Sequence, residues 1–308
     1  MAYDLEHRLV IGVSSRALFD LSFENSIFEE KGLKEYSEYQ RAHENEPLKP
    51  GPGFKLIKAL LGLNELNGKK DRVQVIIMSR NSADTSLRVF NSIEHYGLNI
   101  SRAVLSSGGS LAPYLNAFHT DLFLSAYEDD VQSAINSGIA AGIICNDVGN
   151  DYNAEEDIKQ IRIAFDGDAV LFTDESELIY QKEGLEAFEE NERKNADKPL
   201  PQGPFARFLK EISNLQEEFP PEEAPIRTAL VTARSAPAHE RVIRTLRAWN
   251  VRIDEAFFLG GISKRDVLEA FGAHIFFDDQ AIHTTPASEV VPSARVPYVK
   301  KKEKRSTI

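Results

Sequence analysis

The stretch IRIAFDGDAVLF, residues Ile161 to Phe172, decides how the rest of the chain is interpreted. Its first five residues are mostly apolar and are followed by a turn, which is typical of a short buried strand. An Asp-Gly pair between apolar runs is also a strong hairpin signal, so this stretch alone leaves a hairpin open. The other interpretation is a strand whose carboxyl end delivers two carboxylates, Asp166 and Asp168.

A long internal repeat favours the strand end over the hairpin. Ile11 to Lys58 aligns without a gap with Ile163 to Lys210, with 12 identities in 48 positions, where unrelated chains would share roughly 3. At the position of Asp166-Gly167-Asp168 the first copy has Ser14-Ser15-Arg16, which is not a hairpin sequence although both flanks remain apolar. The repeat therefore predicts a tandem duplication with a strand end at this point in each copy.

Each copy alternates short apolar strands with helical segments. In the second copy, further strands are predicted at Arg227 to Val231 and His274 to Phe277. Strands that alternate with helices indicate a parallel sheet with helices on both faces. The predicted fold is thus α/β, with two tandem Rossmann-like copies at residues 1–150 and 151–308.

Three further segments complete the predicted organisation. Glu175 to Pro225 is charged, largely helical in pattern and too long for a connection, so we expect an inserted cap in the second copy. The polar stretch Asn146 to Asp157 is the expected boundary between copies, and Lys300 to Arg305 forms a basic tail. Cys145 lies in an apolar run and is expected to be a small buried residue rather than a nucleophile.

Polar side chains follow each predicted strand of the second copy. Because ligands collect at the carboxyl ends of parallel strands, these side chains should share one rim. Clustered carboxylates with no His or Cys among them favour a hard cation such as Mg²⁺. Taken singly, each residue has a plainer interpretation as a turn, a helix start or a solvated side chain. The residues are Asp166, Asp168, Thr232, Lys264, Asp278 and Asp279.

This set resembles the haloacid-dehalogenase (HAD) superfamily of phosphotransferases, whose pattern is DxD after a strand, then Thr or Ser, then Lys, then an acidic pair. The segments AFDGDAVLFTDESE, PIRTALVTARSA, FFDDQ and VPYV, with SSRALF and HENEPLKPGP in the first half, resemble the cytosolic 5′-nucleotidase family of type I. The resemblance covers nearly the whole chain. It implies two HAD-like copies and hydrolysis of nucleoside 5′-monophosphates, with a preference towards AMP or IMP and a homo-oligomeric state.

The resemblance also implies a role for each residue of the rim. Asp166 would be the nucleophile and Asp168 the general acid and base, while Thr232 and Lys264 would hold phosphoryl oxygens. Mg²⁺ would lie on the Asp166 carboxylate, the Asp168 carbonyl and Asp278, with Asp279 orienting a metal-bound water. The alternatives are a phosphatase of another small phosphomonoester and a nucleotide-sensing protein without turnover.

The first copy lacks every carboxylate of this set, and we expect it to be non-catalytic. Its matching rim could hold a phosphate without hydrolysing it. Three interpretations stay open for this rim: an effector nucleotide site, a wall of the substrate pocket of the active copy, or a packing and assembly module. The candidate substrate or effector residues are Ser14, Ser15, Arg16, Ser79, Arg80 and Asn81, together with Arg234 of the second copy.

Composition limits the partners and the location. The net charge of −12 disfavours nucleic acid and acidic membranes as partners. One cysteine excludes an internal disulfide and fits a reducing compartment. No apolar stretch approaches the roughly 20 residues of a membrane span, and the amino terminus has no signal-peptide pattern. We expect a cytoplasmic protein.

Overall fold

The computed structural model describes Leu5 and residues 7–68, 71–144 and 157–300. The predicted boundary at Asn146 to Asp157 lies, apart from its last residue, outside the described residues, as do Cys145 and the basic tail beyond Lys300. The described chain has two halves, at residues 5–144 and 157–300.

The first half contains five strands of the main sheet and a small two-stranded sheet. In chain order its elements are β1 (Leu9–Val13), α1 (Ser15–Leu18), β2 (Phe19–Asp20), α2 (Ser22–Lys31), α3 (Leu33–Ala42), β3 (Lys49–Pro50), α4 (Phe54–Gly62), β4 (Val73–Ser79), α5 (Leu87–His95), β5 (Arg102–Leu105), α6 (Ala112–Ala117), β6 (Leu122–Ser125), α7 (Glu128–Asn136) and β7 (Ala140–Ile144).

The second half repeats this plan. Its elements are β8 (Ile161–Phe165), α8 (Glu175–Glu183), α9 (Leu185–Lys194), α10 (Ala206–Gln216), β9 (Ile226–Thr232), α11 (His239–Trp249), β10 (Glu255–Phe258), α12 (Lys264–Phe271), β11 (Ile275–Asp278), α13 (Ala281–Ser288) and β12 (Ser293–Arg295).

All main strands form one ten-stranded sheet in the order β10-β9-β8-β11-β12-β7-β6-β1-β4-β5. Within each half the described strands of the main sheet all pair parallel, and the first of them lies between the second and the fourth. The same strand order in both halves supports the predicted duplication. The predicted α/β class with helices flanking a mostly parallel sheet is confirmed, and the sequence prediction of three second-copy strands is accurate to within one or two residues.

The two halves join through their last strands, which pair antiparallel. Ala294 of β12 pairs with Ile144 of β7, and Arg295 pairs with Ile143. Because this one pairing is antiparallel, the carboxyl ends of the strands in one half point opposite to those in the other. The first strands of the halves, β1 and β8, are also five strand positions apart, which is about 24 Å. Any site at the carboxyl edge of one half therefore opens away from the site of the other half.

The segment predicted as a cap divides into two parts. Helices α8 and α9 form a hairpin joined at Gly184, whose φ of 85° requires the left-handed region that glycine tolerates. Helix α10 instead packs in the core through Phe208, Leu209 and Ile212, all fully buried. The first half has the same hairpin in α2 and α3, joined at Gly32 with φ 89°. The helical pair is thus present in both halves, whereas the sequence prediction assigned a cap to the second alone.

Candidate active site

Three carboxylates meet at the carboxyl edge of the second half. Asp166 follows β8, Asp278 ends β11 and Asp279 comes next, and one oxygen from each lies within 4.8 Å of the others. All three residues are buried. Parallel neighbouring strands bring their ends together, so residues more than a hundred positions apart share this point. The structure thus brings together three of the side chains that the sequence placed on one rim.

Lys264 lies between two of the carboxylates. Its Nζ donates to Asp166 Oδ1 at 2.5 Å and to Asp278 Oδ2 at 2.6 Å. The lysine begins α12, which is capped by Ser263: the Ser263 hydroxyl oxygen accepts a hydrogen bond from the backbone N–H of Arg265. A lysine in a first helical turn is ordinarily solvated, but this side chain is only 2% exposed.

Burial and charge both perturb the pKa values of this cluster. Burial raises the pKa of Asp166 well above its usual range; Lys264 opposes the shift, and the nearby charge of Asp278 adds to it. Burial likewise raises the pKa of Asp279 to about 7, against a hydrogen bond from Tyr298. For Lys264, burial alone would lower the pKa, but Asp166 and Asp278 raise it overall, so the lysine stays protonated.

The single positive charge of Lys264 does not balance three neighbouring carboxylates. Without a further positive charge, ionising all three carboxyl groups in a buried site is unfavourable. The donor atoms that the cluster presents are carboxylate oxygens, which suit a hard divalent cation. The residues present therefore fit a metal ion at the point predicted from the sequence.

Asp168 lies beside this cluster and has a different partner. Its two carboxylate oxygens accept a bidentate pair of hydrogen bonds from Arg234, with Nε and Nη2 each at 2.7 Å. Asp168 is absent from the group of converging side-chain oxygens, so a role as metal ligand would have to come from its backbone carbonyl. The side chain is thus oriented by an arginine rather than by a metal.

Arg234 connects Asp168 to the helical hairpin. Its Nη1 donates to Glu192 Oε2 on α9 at 2.6 Å, and Glu192 Oε1 accepts from Arg241 of α11 at 2.9 Å and from the Ser176 hydroxyl of α8 at 2.9 Å. The side chain of Glu192 has no exposed area and that of Arg234 is 2% exposed. Asp168 and Glu192 raise the pKa of Arg234 despite its burial, so this guanidinium stays charged.

Thr232 ends β9 and lies against the loop that carries the two aspartates. A Cβ built at Gly167 would lie 3.3 Å from Thr232 Oγ1, which shows how closely the Asp166-Gly167-Asp168 turn approaches this hydroxyl. Ala169, two residues further along, has φ 59°. That conformation is strained for a residue with a side chain, and such strain is concentrated at functional sites.

Sequence reasoning missed three residues of this site. Glu192 lies in the charged run EENERK, where a single carboxylate looks solvated, and Arg241 looks like an ordinary surface position of an amphipathic helix. Tyr298, whose hydroxyl donates to Asp279 Oδ2, lies in the VPYV segment that carried part of the family resemblance. That segment was the one available signal for Tyr298, and nothing in the single sequence distinguishes Glu192 from its acidic neighbours.

The candidate residues of the first half come together in a separate cavity. Ser14, Ser15 and Arg16 after β1 meet the loop after β4 around a volume of about 420 Å³. The first-half candidates lining it are Ser14, Ser15, Arg16, Ser79, Arg80 and Asn81. Among the described residues, all those that line the cavity belong to the first half, and the antiparallel junction turns this edge away from the carboxylates. This geometry favours a separate site in the first half over a rim that completes the substrate pocket of the same chain. Arg234, which was grouped with these residues, lies instead between Asp168 and Glu192.

A Rossmann-like sheet with an acidic cluster and a lysine at its carboxyl edge defines an α/β protein with a candidate metal-dependent active site. The family model described as 5′-nucleotidase matches residues 1–303, and the chain belongs to the 5′-nucleotidase family. The family resemblance noted in the sequence is thus confirmed. In the described part of the chain, no helix has both the length and the apolar character needed to cross a bilayer.

The chain is also similar to human cytosolic 5′-nucleotidase 1B, with 39% identity over 310 aligned residues. The alignment covers 96% of this chain and 50% of the relative, so the chain spans about half the length of the curated relative it matches. No solved structure gives a significant match.

Proposed function

We propose that this chain is a Mg²⁺-dependent 5′-nucleotidase that hydrolyses nucleoside 5′-monophosphates to nucleoside and phosphate. The observation that carries this proposal is the meeting of Asp166, Asp278, Asp279 and Lys264 at one strand edge, in a chain that belongs to the 5′-nucleotidase family. The name of the human relative supports the same activity and a cytoplasmic location.

In the first step Asp166 attacks the phosphorus atom. A bond forms between its carboxylate oxygen and phosphorus, and the bond between phosphorus and the 5′-oxygen of the nucleoside breaks. Asp168, protonated at that stage, gives its proton to the departing 5′-oxygen. Thr232 and Lys264 bind the phosphoryl oxygens, over which the transition-state charge is spread.

In the second step water hydrolyses the aspartyl-phosphate. Asp168 is now ionised and accepts a proton from the attacking water, which restores its proton for the next turnover. The bidentate contact with Arg234 holds the Asp168 carboxylate in one orientation, as a positioned base requires. Phosphate leaves, and the Asp166 carboxylate is regenerated.

Mg²⁺ would be held by Asp166 and Asp278, with the Asp168 backbone carbonyl as a further ligand and Asp279 close enough to orient a bound water. When present, the ion offsets the negative charge of the carboxylates and of the phosphoryl group. Tyr298 holds Asp279 in place through its hydroxyl.

The test is a phosphate-release panel with the purified chain. Nucleoside 5′-monophosphates, including AMP and IMP, are compared with sugar phosphates, each with Mg²⁺ or with excess EDTA. We expect Mg²⁺-dependent release that is fastest with a nucleoside monophosphate. Faster release from sugar phosphates would indicate a phosphatase for another phosphomonoester, and tight nucleotide binding with no release would indicate a sensor. We also propose a homo-oligomer, which light scattering on the purified chain tests directly.

A further inference from the structure

The first half contains a cavity for which the proposed reaction has no use. It lies at the carboxyl ends of β1 and β4 and has a volume of about 420 Å³, within the roughly 300–1,000 Å³ range of small-molecule sites. It occupies the position, in its own half, that the catalytic cluster occupies in the other. Its lining, however, differs in charge and in chemistry.

The floor of the cavity is made of hydroxyl groups. Ser14 and Ser15 follow β1, and Ser79 ends β4; all three residues are buried, and the Ser15 and Ser79 hydroxyls lie 3.2 Å apart. Asn81 adds an amide at the rim. A floor of this kind offers hydrogen-bond donors to an anion, and no group of three metal-binding side chains forms there among the described residues.

The charge of the lining is positive, although the whole chain carries −12. Arg80 is neutralised by Asp130, with Nη2 2.6 Å from Oδ1. Arg16 makes a hydrogen bond from Nη1 to Asn25 Oδ1 at 3.0 Å and lies 4.8 Å from the centre of the Tyr127 ring. Within the described chain no carboxylate forms an ion pair with Arg16, so its charge is available to an anionic ligand.

The wall of the cavity is apolar and aromatic. Phe28 of α2, Leu33 and Tyr36 of α3, and Tyr127 before α7 line it. Phe28 is 45% exposed and Leu33 64% exposed, although both are large apolar side chains facing this opening. A planar ring bound against these side chains would cover apolar surface and stack on aromatic rings.

We propose that this cavity binds a nucleoside phosphate without hydrolysing it, with the phosphate on Arg16 and the serine hydroxyls and the base against the aromatic wall. The combination of a cationic, hydroxyl-lined floor and an aromatic wall selects a ligand that has both an anionic group and a flat ring. Binding at this site does not require a metal, because the lining has no carboxylate cluster. The proposal goes beyond the proposed catalytic function, since the two sites lie at carboxyl edges that point in opposite directions.

The experiment measures binding of AMP to the full chain by calorimetry in excess EDTA, where metal-dependent turnover is suppressed. We expect AMP to bind without Mg²⁺, and the Arg16 variants assign that binding to the first half. Adenosine has the base without the phosphate, and inorganic phosphate has the anion without the base. Each should therefore bind at least about tenfold more weakly than AMP. Arg16→Ala should weaken AMP binding about tenfold or more, and Arg16→Lys should recover part of the loss because it restores the charge without the planar fork.

Arg41→Ala is the matched control, since it removes an arginine of the same half that is 52% exposed and paired with Asp84. It should leave AMP binding unchanged, and circular dichroism shows whether each variant is folded. An Arg16→Ala protein that binds AMP as tightly as the wild type would overturn the proposal, as would no binding at millimolar AMP. Because the readout is binding in EDTA, a failure here is distinct from a failure of Mg²⁺-dependent phosphate release.

Discussion

The two halves of this molecule place opposite kinds of side chain on one common frame. Where the second half has Asp166 and Asp168 after its first strand, the first half has Ser14 and Arg16. The strand order and the helical hairpin are the same in both. The frame thus fixes where side chains meet, whereas the residue types at the strand ends decide whether that point is lined by carboxylates or by hydroxyl and guanidinium groups.

The contacts made by the helical hairpin also differ between the two halves. In the second half Glu192 binds both Arg234 and Arg241. The repeat places Gln40 at the position of Glu192. Gln40 donates to the Tyr36 hydroxyl at 3.1 Å, and its Oε1 has no hydrogen-bond partner within the described residues.

One further substitution and one changed ion pair accompany this change in the first half. Asn81 replaces Arg234, and Arg88, at the position of Arg241, pairs with Glu24 of α2 at 2.7 Å. The charged connection from the hairpin to the strand-end loop therefore exists in the second half alone within the described chain.

We expect the largest fall in activity when the nucleophile of the second half is removed. Asp166→Asn keeps the size of the side chain but removes the attacking charge and a metal-binding group, so kcat for phosphate release should fall by roughly four orders of magnitude or more. The matched control is Asp121→Asn, a buried aspartate of the first half outside both sites, which should retain near wild-type kcat. A folded Asp166→Asn protein that keeps more than a few per cent of the wild-type rate would refute the covalent mechanism.

The second prediction concerns the Mg²⁺ requirement of activity, which we expect to depend on the second half and not on the first. Asp278→Ala removes one of three converging carboxylates, and we expect the Mg²⁺ concentration for half-maximal activity to rise at least about tenfold. Ser125→Ala alters the equivalent strand end of the first half and should leave the Mg²⁺ requirement unchanged. Titrating Mg²⁺ at saturating substrate measures both variants. Full activity of the wild type in excess chelator would contradict the assignment of a metal to the second half.

Much of the fold and of the candidate site could be predicted from the sequence, because the signals involved lie in short stretches of the chain. The apolar strand before Asp166 and the strand ending in Asp278 could be recognised individually, and the rule that parallel strand ends converge then brought their carboxylates together. The repeat showed that Ser14 and Arg16 occupy the matching edge. These inferences need only the order of elements along the chain.

Other features depend on contacts between distant surfaces. Which edges of the two halves would pair, and in which direction, rests on Ala294, Arg295 and their partners in β7, and no periodic pattern reports that choice. As a result, the sequence alone gave no reason to prefer separate sites over a shared pocket, whereas the antiparallel junction favours separate sites. The role of Glu192 was hidden for a similar reason, because its two arginine partners come from elements more than forty residues away.

The third effect tests whether the charged hairpin contact supports catalysis. Glu192→Gln keeps the shape but removes the charge that two buried arginines share, so we expect the free energy of unfolding to fall by about 3 kcal/mol. With Arg234 less firmly held, Asp168 should be less well oriented, and kcat should fall about tenfold with a smaller change in KM.

Glu192 is thus interpreted as a positioning residue, and the readout must separate that role from simple destabilisation. Activity is measured well below the melting temperature of the variant, so that all of the protein is folded. Gln40→Met, at the equivalent position in the first half, should leave kcat unchanged, since the side-chain hydrogen bond it removes goes to Tyr36 of the first half and not to a residue of the catalytic cluster. An unchanged kcat in folded Glu192→Gln would show that the contact is structural only.

We expect the smallest effect at a pair of equivalent positions far from either site, Asp121 and His274. Asp121 Oδ2 accepts a hydrogen bond from the backbone N–H of Val10 at 2.9 Å, and in the second half His274 Nδ1 accepts from the backbone N–H of Arg162 at 2.9 Å. The same strand contact is therefore accepted by an ionisable carboxyl group in one half and by an imidazole in the other. Burial raises the pKa of Asp121 to about 6, so the folded state holds this proton more tightly than the unfolded state does.

The sign of the stability effect follows from that shift. The contribution of the Asp121 proton to stability is complete below the unfolded pKa of about 4 and is lost as the pH rises through about 6. Asp121→Asn is neutral at every pH and resembles the protonated carboxyl group. The free energy of unfolding of the variant, relative to wild type, should therefore rise by up to about 3 kcal/mol between about pH 4 and about pH 7. Urea unfolding across this range measures the difference, with the exposed Asp84→Asn as control. If the difference in the free energy of unfolding between variant and wild type stays constant with pH, burial does not hold the Asp121 carboxyl group protonated. The comparison of this position with His274 would then rest on geometry alone.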